Sequence, residues 1–159
     1  MKIKTALFTF VSATSFSISN AVLAASGTAS FDVSVQVLAS CSISASNMSF
    51  ASITTGTTTN TDATSTLTVN CSSGTPFTIA LGNGNNYSGG RRMTNGTTNI
   101  NYYLYSDSGR SSQWSGATVV SGTGSGSDQN FTVYGRIPSE QNISNTGIYA
   151  DTIIATITY

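Results

Sequence analysis

Phe31, Val33, Val35 and Val37 are apolar, and Asp32, Ser34 and Gln36 between them are polar. A strict period of two puts all four apolar side chains on one face of an extended segment, so residues 31–38 read as a strand that buries one face. The pattern recurs in short runs. Residues 65–71 alternate through Leu67, Val69 and Cys71, and residues 131–137 set Phe131, Val133 and Gly135 against Thr132 and Tyr134. A final run over 152–159 lines up Ile153, Ala155, Ile157 and Tyr159. Shorter runs are expected at 77–81, 101–105 and 117–120, with a longer one at 42–53 anchored by Ile43, Met48, Phe50 and Ile53. Gly, Asn and Ser clusters at 82–86, 88–90 and 121–128 separate them. No segment carries a helical period. Short strands with turn signals at this spacing predict an all-β chain, a single-domain β-sandwich.

The first 24 residues read as a signal peptide. Lys2 and Lys4 precede an apolar stretch through Ala6, Leu7, Phe8, Phe10 and Val11, and Val22-Leu23-Ala24 suits cleavage after Ala24. The remainder has no run of the roughly 18 apolar residues that a spanning helix needs, and is expected to be exported. It keeps no lysine; six acids against four arginines leave a net charge of −2. Such a chain has no electrostatic footprint for nucleic acid. Ser, Thr, Asn and Gly supply the polarity that charge usually supplies. Cys41 and Cys71 are the only cysteines, and in an exported chain they read as a disulfide. Closing a loop of about 30 residues stabilises a fold by roughly 3.5 kcal/mol on the chain-entropy model.

Much chemistry is missing. The chain has no histidine, which removes the commonest general base and metal ligand. Without lysine there is no Schiff base and no Ser–Lys dyad. Glu140 is the only glutamate; Asp107 and Asp128 flank the region of Trp114 and read as turn residues, not as an acid pair. No catalytic, cofactor or metal site is expected. Arg91-Arg92, in a Gly/Asn-rich loop, reads as a solvated tip. Trp114 with Tyr102, Tyr103 and Tyr105 has two readings: core and edge packing, or a platform for stacking sugars.

Four segments, in order, carry a resemblance. The alternating segment runs straight into Cys41; Val69-Asn70-Cys71 ends the second strand; Asn101-Tyr102-Tyr103-Leu104-Tyr105-Ser106-Asp107 lies in the middle; and Tyr134-Gly135-Arg136-Ile137-Pro138 precedes Gly147-Ile148-Tyr149-Ala150-Asp151-Thr152 and the last strand. The set resembles the archaic (Csu-type) chaperone–usher pilins, grouped with the spore coat protein U (SCPU) domain family. The resemblance implies an incomplete immunoglobulin-like β-sandwich lacking its last strand. It divides the chain into a signal peptide (1–24), an N-terminal donor-strand extension (25–40) and a pilin domain (41–159). A periplasmic chaperone, an outer-membrane usher and neighbouring subunits would be its partners, by β-augmentation. Phe31, Val33, Val35 and Val37 would be the donor side chains, and Ile153, Ala155, Ile157 and Tyr159 the edge of the acceptor groove. The implied function is a structural rod or adaptor subunit of a surface fimbria, passing through the periplasm and supporting adhesion and biofilm formation. A coat or surface structural protein and a carbohydrate-binding surface module are the alternatives.

Overall fold

The computed structural model describes residues 23–159; the lysines and apolar stretch of the expected signal peptide lie outside them. The chain divides into two units, Met1–Gln36 and Val37–Tyr159. In the first, residues 23–36 carry no secondary structure and are all exposed.

The second unit holds nine strands: β1 (Cys41–Ala45), β2 (Thr61–Cys71), β3 (Pro76–Leu81), β4 (Arg92–Thr94), β5 (Asn99–Asn101), β6 (Tyr103–Tyr105), β7 (Val120–Thr123), β8 (Asp128–Ile137) and β9 (Ala155–Thr158). They form a four-stranded sheet in the order β1-β2-β8-β6, a three-stranded sheet β7-β3-β9 and a hairpin β4-β5, and the named pairs are antiparallel. The expected sandwich forms because each long strand alternates. Leu67, Val69 and Cys71 of β2 and Val133 and Ile137 of β8 face Phe77, Ile79 and Leu81 of β3 in one core. Phe77 and Phe131 meet edge to face across it, their centroids 5.8 Å apart. Cys41 and Cys71, directly opposite in the β1–β2 register, are disulfide-bonded.

Several expected runs change shape. Residues 31–38 form no strand and have no strand partner among the described residues; alternation supplies a face to bury but no edge to pair with. The run expected at 42–53 is a strand only to Ala45. Ser46 makes the last bond to Thr66 O (2.9 Å), and the chain then crosses the sheet so that Met48 and Phe50 pack on Gly135 of β8. A Cβ on Gly135 would collide with both side chains. The run at 101–105 breaks at Tyr102, whose N–H donates to Arg91 O (3.1 Å), and its halves enter different sheets. The strand expected at 117–120 begins instead at Val120. The last strand is Ala155–Thr158, leaving Ile153 before it and Tyr159 after it.

Candidate functional site

The sandwich has an open flank. β1 bonds only to β2 and β9 only to β3, so each presents an unpaired edge within the described fold. The two edges belong to different sheets and approach each other without pairing. Next to them a cleft of about 490 Å³ enters the core. One wall is the crossing segment 45–50 and the other is residues 149–155; Leu67, Leu81, Leu104 and Val133 form its floor. Those floor residues are among the buried core. The cleft thus reaches down to the core on the side where both sheet edges are unpaired.

Of the expected acceptor residues, Ile153 and Ala155 line the cleft. Ile157 is half-buried against the core further along β9. Tyr159 lies beyond the strand and is 58% exposed, so of the four only Ala155 and Ile157 sit on the strand with their side chains inward, and Ile153 reaches the cleft from the segment before it. The expected donor side chains are the reverse case: Phe31, Val33, Val35 and Val37 are each at least 84% exposed.

A polar frame holds the wall at 149–155 in place. Asp151 Oδ2 accepts from the Tyr102 hydroxyl (2.7 Å), and Oδ1 accepts from the Asn86 backbone N–H (3.2 Å) and side-chain amide (3.1 Å). Burial, and then the bond to the Asp151 carboxylate, push the Tyr102 phenol well above its ordinary value. Gly84 passes so close to the Asp151 carboxylate, with φ +90°, that no side chain fits there. Gly82 N–H donates to Ile154 O (2.8 Å), and Thr94 and Ala150 exchange a pair of backbone bonds at 3.0 Å. Behind the frame lies Arg91. Its guanidinium donates to Leu81 O (2.9 Å), Gly82 O (2.7 and 2.9 Å) and Trp114 O (2.8 Å). Burial holds its pKa below the ordinary arginine value.

The structure corrects the reading of Arg91 and decides between the two readings of Trp114. Arg91 is no solvated tip: it gathers three backbone carbonyls at the end of β3, a role that tertiary folding alone creates. Arg92 is likewise tied, donating to Asn86 O (3.1 Å). Trp114 is no sugar platform either, since it is 1% exposed and its indole donates to Ile79 O (2.9 Å). Tyr102 is buried with it. Asp107 does stabilise a turn, accepting from the Ser111 and Ser112 backbones, while Asp128 accepts from Asn70 across the β2–β8 pair (2.8 Å).

A model of the Spore Coat Protein U domain matches residues 27–156. The chain belongs to the spore coat protein U domain family. No curated protein matches it in sequence. Among solved structures, this SCPU chain is similar to one chain in the crystal structure of the CsuC–CsuE chaperone–tip adhesion subunit pre-assembly complex, from the archaic chaperone-usher Csu pili of Acinetobacter baumannii. The TM-score is 0.60 at 24% identity, covering 77% of this chain and 40% of that chain. The SCPU chain thus spans two-fifths of that relative's length, and the likeness is one of fold. The matched region takes in both walls of the cleft and the whole alternating segment. Among the described residues, no helix is long and apolar enough to cross a membrane.

Proposed function

We propose that this SCPU chain is a structural subunit of a surface fibre assembled by a chaperone–usher route, and that residues 31–37 of one copy fill the cleft of the next. One observation carries the reading: a cleft floored by core side chains lies beside two unpaired sheet edges, in a chain whose own alternating segment is exposed and unpaired. A strand seated on the free edge of β9 gains backbone hydrogen bonds there, and its alternate side chains enter the core. Burying Phe31, Val33, Val35 and Val37 is worth about 6–12 kcal/mol at roughly 1.5–3 each, and ordering the segment offsets part of that. Donor and acceptor are different surfaces, so the contact runs head to tail and propagates instead of closing.

The same physics calls for a chaperone. Before assembly the cleft and two strand edges stand uncovered, an aggregation hazard that a periplasmic partner strand would cover until an outer-membrane usher exchanges it for the next subunit. On this reading the chain is exported, ends at the cell surface, has a structural and not an enzymatic role, and contributes through the fibre to adhesion and biofilm formation.

Deleting residues 27–37 tests the proposal. The shortened chain is expected to fold with its chaperone and to accept a synthetic 27–37 peptide, yet to donate to no other copy. Fibres built from the deleted chain alone, seen by electron microscopy, would overturn it.

A further inference from the structure

The outward face of the four-stranded sheet carries one cluster unlike its surroundings. The β6–β8–β2 register puts Tyr103, Arg136 and Asp62 in one row and Tyr105, Tyr134 and Thr64 in the next. Leu104 and Gly135, between them, point into the core. Arg136 grips Asp62 with two bonds of 2.8 Å. Arg110, from the loop after β6, reaches the same carboxylate at 3.3 Å, donates to Gly135 O (3.3 Å), and lies over the Tyr134 ring at 5.7 Å. Tyr103 and Tyr105 stand 6.4 Å apart with their rings tilted by 49°, and Tyr103 is 39% exposed.

Three properties of this cluster point to one ligand chemistry. Two guanidiniums against one carboxylate leave a local positive charge, on a chain whose residues from 25 onward carry −2. No hydrogen bond among the described residues uses Arg136 Nη1 or Arg110 Nη2, so charged donors remain on groups already fixed in place; rigid guanidiniums lose little entropy when a carboxylate docks. The rest of the face on β2 and β8 is Thr66, Thr68 and Asn70 opposite Thr132, Asn130 and Asp128, the last at the far end of the pair and hydrogen-bonded to Asn70, with nothing large and apolar for a protein partner to bury.

We propose that this face binds a carboxylate-bearing saccharide, the Tyr103 and Tyr105 rings packing on the sugar C–H faces while Arg136 and Arg110 take the carboxylate. The site is separate from the cleft and does not depend on which strand fills it.

The test is titration of the exported full chain with oligogalacturonate, and in parallel with its fully methyl-esterified form, which has the same sugar backbone without the charge. Oligogalacturonate is expected to bind, more weakly as salt rises. The ester is expected to bind about tenfold more weakly or not at all, and Tyr103→Ala/Tyr105→Ala to lose about tenfold in affinity. Tyr103→Phe keeps the ring and is expected to retain binding. Trp114 fluorescence reports that each variant is folded. Absence of binding at millimolar oligogalacturonate, equal binding of the ester, or unchanged affinity in the double tyrosine variant would each overturn the proposal. So would a double variant that loses self-association while no saccharide binds the parent chain, since the face would then belong to a second copy.

Discussion

Tyr102 donates its hydroxyl proton to Asp151 Oδ2 at 2.7 Å, across 49 residues of chain. The bond joins the tyrosine-rich middle segment to the approach of the last strand, and both side chains line the cleft. The width of the cleft is therefore set in part by a polar contact at its rim. Tyr102→Phe is expected to leave Asp151 Oδ2 without its partner and to cost about 1–3 kcal/mol of stability. Asp151→Ala also frees Asn86 and should cost at least as much. In a double-mutant cycle read by urea unfolding, the two changes should couple by roughly 0.5–3 kcal/mol; additivity would mean that the contact holds nothing.

Arg91 gathers the carbonyls of Leu81, Gly82 and Trp114. Hydrogen bonds from a charged donor are worth about 1.5–3 kcal/mol each, and removing the donor leaves acceptors stranded next to the core. Arg91→Ala is expected to destabilise by about 3 kcal/mol or more. Arg91→Lys, which has no planar fork, should recover only part of that. Red-shifted Trp114 emission at a lower denaturant concentration is the readout.

Asp62 is held below its ordinary carboxylate pKa, first by the hydrogen bond from Arg136 and then by the charges of Arg110 and Arg136, against some burial. A carboxyl depressed in the folded state stabilises the fold above its unfolded pKa of about 3.9 and loses that contribution as the pH falls through the folded value. Acid unfolding should therefore steepen below about pH 4. Asp62→Asn should flatten that part of the profile and lower neutral-pH stability by the same small amount, small because the pair is partly exposed. Circular dichroism against pH checks both.

The Cys41–Cys71 bridge spans 30 residues and staples β1, the edge strand beside the cleft, to β2. Replacing both cysteines by serine is expected to cost about 3 kcal/mol. Because β1 bounds the open flank, the loss should also show as faster amide exchange over residues 41–45 than over the centrally paired β8.

Strands β2, β3, β8 and β9 were legible because an alternating apolar face already states which way each side chain must point. The disulfide was legible because only two cysteines exist. The Arg91 clamp was not, since an arginine beside glycines looks the same whether its guanidinium meets water or three carbonyls brought together by distant segments. Trp114 was ambiguous for a similar reason: an aromatic between Gly- and Ser-rich stretches suits a core or a platform equally, until the fold supplies Ile79 O as its partner. The break at Tyr102 was hidden because the run from Asn101 to Tyr105 keeps its alternation through the residue that changes sheets.

By itself, then, the sequence determined an all-β chain with one bridge, and an alternating segment at 31–37 that has a face to bury. Period and composition are local quantities, and they suffice for strand content and facing. Only the tertiary structure decided that β1 and β9 end as unpaired edges beside a cleft into the core, that Asp151 and Arg91 brace its rim, and that the outward tyrosines gather around two arginines. Those outcomes depend on which strands become neighbours, and strand pairing is settled by the packing of the whole core.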